Sequence, residues 1–295
     1  PLRRATGHQY DHLWLSFGLD CDVSPARDRR LGRICARLVW EEAIMSRPLL
    51  EIENVSKTFG GLKAVSSVSL SVEAGSLCAL IGPNGAGKTT LFALMTGFIK
   101  PDQGSVRFDG TDITGQAPHL NARLGMARTF QIVQPFAAQT VRENIAVGVH
   151  LHERDRRVAL EKAGQIAQQV GLADQIEKPA SDLTVAGRKR LELARALGTQ
   201  PKLLLLDEVL AGLNPQEISD MIPVIKAICA SGITVFLIEH VMQAVMSLAD
   251  HVWVLSQGQL IASGSPEVVT QDDAVVEAYL GKGTAARLRA KGSAA

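Results

Sequence analysis

The eight residues Gly82, Pro83, Asn84, Gly85, Ala86, Gly87, Lys88 and Thr89 constrain this chain more than any other stretch. They follow a continuous apolar run, SLCALI, and lead into LFALMTGFIK, whose apolar residues recur at helical spacing. A buried strand that breaks into glycines and restarts as a helix turns successive backbone N–H groups inward, forming a nest for phosphate oxygens at a helix N-terminus. Lys88 adds a cation at the β and γ phosphates. The hydroxyl of Thr89 is a ligand for Mg²⁺, and Thr90 continues the helix start. Such a loop requires a strand on one side and a helix on the other, so the chain must contain an α/β core.

The rest of the chain follows that requirement. LLLLDE is a buried strand that delivers Asp207 and Glu208 to its carboxyl end, where open α/β sheets bind ligands. Asp207 is placed to hold Mg²⁺ and Glu208 to polarise an attacking water as general base. Upstream, LLEIENVSKTF alternates as an antiparallel strand does, and GGLKAVSSVSLSVEAG reads as a second and third strand set off by glycines. Residues 137–200 turn helical, after which strands and helices alternate to about residue 264. The pattern predicts an α/β P-loop NTPase with a parallel core sheet, an N-terminal antiparallel β-subdomain and an inserted α-helical subdomain.

Composition narrows the class further. A formal net charge of +1 supplies no field that would gather nucleic acid. The four cysteines are scattered without metal-ligand spacing and read as free thiols. No apolar run reaches the roughly 18 residues of a membrane-spanning helix. Residues 1–44 mix arginines and acids without periodicity ahead of Met45, and are expected to be a non-native or disordered extension. The small, basic stretch 282–295 reads as a frayed tail.

Together these motifs resemble the nucleotide-binding subunit of an ATP-binding cassette (ABC) transporter, from about Leu49 to Gly281. The resemblance implies ATP and Mg²⁺ as cofactors. It implies that Phe59 in SKTFGG stacks on adenine with Val65 beside it, and that Gln131 in ARTFQ touches Mg²⁺ and water. It gives His240 in LIEH to the γ-phosphate, and it aligns residues 183–187, LTVAG, with the signature that clamps a partner's nucleotide through Thr184 and Ala186. Three departures stand out: Val185 and Ala186 replace the glycine pair, Val209 follows the glutamate where proline is usual, and Asn214 stands where aspartate is frequent. If the glycine pair needed a positive φ, its replacement would strain the backbone.

The family further implies a second ABC ATPase subunit, transmembrane permease subunits, an indirect link to a solute-binding protein, no nucleic acid, and a peripheral place on the cytoplasmic face of the membrane. AGLNP and VVEAYLG resemble the branched-chain amino acid importers, in particular their LivG-type subunit. An importer of amides or urea, and a soluble ABC ATPase acting on nucleic acid or ribosomes, stay open at this level. The lysine gives the first test: Lys88→Ala should lose nucleotide affinity itself, measured by equilibrium binding of ATP, and unchanged binding would remove the phosphate-loop assignment.

Overall fold

The computed structural model describes residues 48–131 and 134–281, so the expectations for residues 1–44 and 282–295 lie outside the described residues. Two sheets form the frame. Strands β1 (Leu50–Phe59), β2 (Leu62–Val72), β4 (Gln103–Phe108) and β5 (Thr111–Asp112) make an antiparallel sheet in the order β2-β1-β4-β5. Strands β3 (Leu77–Ile81), β6 (Met126–Arg128), β7 (Leu203–Asp207), β8 (Thr234–Ile238), β9 (His251–Ser256) and β10 (Gln259–Gly264) make the second, ordered β10-β9-β3-β8-β7-β6. All its pairings are parallel except the β9–β10 hairpin.

The second sheet is apolar on both faces, as a parallel sheet covered on both sides must be. Along β3 and β7 alternate residues enter two separate cores. Cys78, Leu80, Leu203 and Leu205 face the antiparallel sheet and helix α1 (Lys88–Thr96), which supplies Leu91, Phe92, Leu94 and Met95. Ala79, Ile81, Leu204 and Leu206 share the other core with helices α3 (Val141–Val149), α4 (Arg156–Gln169), α5 (Val185–Gly198) and α6 (Pro215–Ala230). Helices α3 to α5 fall within residues 137–200. Their ends are set locally: Thr140 and Glu143 form a reciprocal capping box on α3, and Asp155 caps α4 through two backbone N–H groups.

Two local readings change. The stretch expected to give a second and third strand is the single strand β2, because its glycines lie outside it and the chain absorbs the bend at Ser67 (φ 49) without breaking the pairing with β1. Helix α2 (Pro118–Leu124) and edge strand β6 were not anticipated. Three residues are too few to show a period, yet β6 pairs in parallel with β7 through Met126, Ala127 and Arg128. The remaining helices are α7 (Met242–Leu248), α8 (Pro266–Thr270) and α9 (Asp273–Leu280). Among the described residues no helix is long and apolar enough to cross a membrane.

Aromatic packing locks α1 onto the sheet. Phe236 of β8 lies 5.2 Å from the Phe92 ring and 5.6 Å from that of Trp253, centroid to centroid. Phe236→Ala would open a cavity at this junction and should cost about 3–5 kcal/mol of stability. Denaturant unfolding of the purified protein would measure it.

Candidate functional site

The carboxyl ends of β3, β8 and β7 lie side by side in parallel register, so the segments that follow them meet at one edge of the sheet. After β3 the chain enters the phosphate loop, with Gly82, Gly85 and Gly87 all at positive φ. At Gly87 (φ 104) a Cβ would also collide with the carbonyl oxygen of Ala64, so only glycine fits. Helix α1 starts at Lys88 with no side-chain cap, which leaves its first N–H groups for a ligand. The Lys88 ammonium is buried and donates to the carbonyls of Gly82 (2.7 Å) and Pro83 (3.1 Å). Burial pushes its pKa down, and the carboxylates of Glu208 and Asp207 push it back up.

A cavity of about 880 Å³ opens above the loop, lined by residues 84–90, Phe59, Glu208 and the turn Gln257–Gly258. Phe59 is exposed at the end of β1, with the Lys57 ammonium 5.6 Å from its ring centroid. Thr89 is exposed at the loop exit and Thr90 half-buried beside it. Val65 is different. It is fully buried in the core and is not among the residues that line the cavity, whereas Leu62, Lys63 and Ala64 before it are.

The turn had no part in the sequence reading, although Gln-Gly between two apolar runs is a hairpin signal. Gln257 (φ 49) and Gly258 (φ 77) join β9 to β10. Gly258 donates its N–H to Ala86 in the phosphate loop and accepts from Ser66 of β2 at 2.8 Å. Tyr279 on α9 also comes near the loop, its hydroxyl beside the Gly82 backbone.

Beyond β7, Asp207 is 1 % exposed and Glu208 half-buried. Glu208 has φ 51, an uncommon conformation for a residue with a side chain, held by its N–H on the Ile238 carbonyl (3.0 Å) and by Lys189 Nζ on its own carbonyl (3.1 Å). Gln131 Nε2 donates to Glu208 Oε2 at 2.7 Å, which unites two of the anticipated site residues. His240 is exposed, two residues past the end of β8. Arg128 donates from Nη2 to Asp207 Oδ2 at 2.7 Å, and Thr129 Oγ1 accepts the Asp207 N–H. Glu192 on α5 accepts the Phe130 N–H.

Among the described residues, the buried side-chain polar atoms without a hydrogen-bond partner are Arg128 Nε, Glu192 Oε2, Asp207 Oδ1 and Glu239 Oε2. All four sit around the ends of β6, β7 and β8. Unmet polar atoms are rare in folded proteins, and their concentration here marks a place where something else binds. Asp207 Oδ1 and the Thr89 hydroxyl are hard oxygen donors suited to Mg²⁺. The described residues contain no group of three or more His, Cys, Asp and Glu that could hold a metal ion.

The residues expected to form the signature make an ordinary helix start. Thr184 is the N-cap of α5, its Oγ1 accepting the Gly187 N–H at 3.1 Å. Val185 and Ala186 are the first residues of that helix, and neither has a positive φ, so their side chains meet no backbone strain. Val185 is 48 % exposed, an apolar surface at the helix tip. Neither Thr184 nor Ala186 lines the 880 Å³ cavity of its own chain. Asn214 caps α6 by exchanging two hydrogen bonds of 2.9 Å with Glu217, a role open to Asn and Asp alike, and Val209 packs into the core.

Glu239 was overlooked beside His240. It is buried, its Oε1 accepts the Leu210 N–H, and burial above all pushes its pKa from 4.5 up to about 7. A carboxyl that binds its proton more tightly folded than unfolded contributes stability that is complete below about pH 4.5 and is lost as pH rises through about 7. Glu239→Gln should therefore flatten the fall in melting temperature between pH 5 and pH 8, as followed by thermal unfolding across that range.

Comparison with known proteins agrees with this geometry. A family model described as ABC transporter matches residues 65–211, and one described as branched-chain amino acid ATP-binding cassette transporter matches residues 259–285. The chain is 41 % identical over 254 residues to the high-affinity branched-chain amino acid transport ATP-binding protein BraF of Pseudomonas aeruginosa, covering 81 % of this chain and 100 % of the relative. It is 38 % identical, with the same coverage, to the corresponding LivG protein of Escherichia coli K12. A solved nucleotide-free ATP-binding cassette from an ABC transporter superposes with a TM-score of 0.73 at 35 % identity, covering 80 % of this chain and 100 % of that one. The chain belongs to the ATP-binding cassette ATPases of ABC transporters, in the branch whose relatives are named for branched-chain amino acid transport.

Proposed function

We propose that this chain is the ATP-hydrolysing subunit of a membrane importer for branched-chain amino acids. The observation that carries the reading is the cavity that brings the Phe59 ring, the phosphate loop with Lys88, and Glu208 into one space. Phe59 offers a face for adenine. The loop N–H groups and Lys88 take the phosphates, Lys88 exchanging its bonds to Gly82 and Pro83 for phosphate oxygens. Thr89, Asp207 and Gln131 would hold Mg²⁺, which when bound neutralises charge on the β and γ phosphates. Glu208 orients a water against the γ-phosphorus and takes its proton, and His240 contacts the γ-phosphate.

The arrangement supports a need for partners. The signature residues Thr184 and Ala186 stay outside the cavity of their own chain, so they are available to a nucleotide held by a second ABC ATPase subunit. Gln131 caps one oxygen of Glu208, so a shift of the glutamine segment frees the base. That segment also borders a groove of about 620 Å³ lined by Phe98, Phe130, Val147 and Leu151, an apolar seat suited to a permease segment. The subunit then lies peripherally on the cytoplasmic side of the membrane. The permease and an external solute-binding protein select the solute, so leucine, isoleucine and valine are assigned through the named relatives.

Reconstitution with the permease and solute-binding protein in vesicles tests the proposal. Labelled leucine should accumulate with ATP hydrolysis, whereas uptake of urea or an amide instead would overturn the substrate class. Glu208→Gln should lower turnover by about 10²- to 10⁴-fold while ATP binding persists and a nucleotide-bound dimer accumulates. Turnover at the wild-type rate would remove Glu208 as the base.

A further inference from the structure

Arg128, at the end of the edge strand β6, is a charged side chain with only 8 % exposure. Its guanidinium lies 5.9 Å from the ring centroids of Phe92 and Phe98 and 5.4 Å from that of Phe130. Phe98 and Phe130 meet edge to face at 5.6 Å, are themselves exposed, and line the groove together with Arg128. Burying an ion pair gains little stability over packed apolar side chains, so the Arg128–Asp207 pair calls for a reason beyond holding the fold.

The two oxygens of Asp207 supply it. Oδ2 accepts from Arg128 at 2.7 Å, the Asp207 backbone N–H is held by Thr129, and Oδ1 is buried without a partner. A planar guanidinium fixed by three rings leaves the carboxylate little freedom to turn. We propose that Arg128 is a positioning residue that aims Asp207 Oδ1 at the divalent cation of the bound nucleotide, and that the Phe98–Phe130 pair in the groove holds Arg128 in that pose. The inference rests on the proposed nucleotide site. It adds a short physical connection from the groove to the cation, through residues that do not touch the nucleotide.

Binding of Mn²⁺ to the full chain with ATP, read by electron paramagnetic resonance in a Glu208→Gln background, separates the two ideas. If the background protein itself binds no Mn²⁺ with ATP, the nucleotide-site reading fails. If it binds, Arg128→Lys and Arg128→Met should each weaken Mn²⁺ affinity by about tenfold or more while ATP affinity in EDTA stays unchanged. Asp207→Asn should cause a similar loss, and adding Arg128→Met to it should cost little more, since residues acting through one another are not additive. Phe98→Leu with Phe130→Leu, both at the surface, should weaken Mn²⁺ affinity about two- to fivefold. Circular dichroism checks the fold of each variant, and if Arg128→Met does not fold, Arg128→Lys and the double phenylalanine variant decide. Wild-type Mn²⁺ affinity in folded Arg128→Lys, or equal losses with and without the metal, would overturn the assignment of Arg128. Wild-type affinity in the phenylalanine variant would overturn the part given to the rings.

Discussion

The position of the phosphate loop depends on the backbone of Gly258. Its N–H binds Ala86 in the loop while its carbonyl binds Ser66 in the antiparallel sheet, so one peptide turn joins both sheets to the nucleotide cavity. The close approach leaves no room for a side chain there, since a Cβ on Gly258 would lie 2.8 Å from the Ala64 carbonyl oxygen. Phe59 ends a strand of the antiparallel sheet and Lys88 begins the helix that follows a strand of the parallel one; the two supports share one core, and this turn adds a backbone link between them, so that both residues face the same cavity. The segments that carry the aromatic face and the cation are thus joined by backbone hydrogen bonds.

Around β7 the burden shifts to buried charge. Lys189 and Glu192, three residues apart on α5, turn inward, where desolvation is costly unless each finds partners. Lys189 binds the carbonyls of Gln131 and Glu208, and Glu192 binds the Phe130 N–H. The helix that carries the signature at its N-terminus is therefore tied, in its second turn, to the glutamine segment and to the backbone of the proposed base. Rotation of α5 against the sheet must exchange these bonds, so the signature and the base are mechanically linked within one chain.

The sequence disclosed the parts whose chemistry demands particular residue types. The loop at residues 82–90 needs glycines and a lysine, β7 needs an unbroken apolar run before its acids, and these places were legible. What tertiary contact decides was not. Three residues of β6 carry no period, so no pattern marks Arg128 and Thr129, yet both clamp Asp207. Lys189 and Glu192 are charged residues that no local pattern marks as buried, and the packing of α5 against the ends of β6 and β7 turns them inward. The burial of Val65 also depends on tertiary structure, because the irregular pairing around Ser67 puts it out of phase with buried Val68, Leu70 and Val72. The missing glycines of the signature raised a doubt about strain that the helical backbone at Val185 and Ala186 removes.

Lys88 holds the loop from within by binding the carbonyls of Gly82 and Pro83. The loop is consequently shaped before any triphosphate arrives, and the entropy of ordering it belongs to the folding of the chain. Capture becomes an exchange of hydrogen-bond partners at a preorganised receptor, with little conformational search after contact.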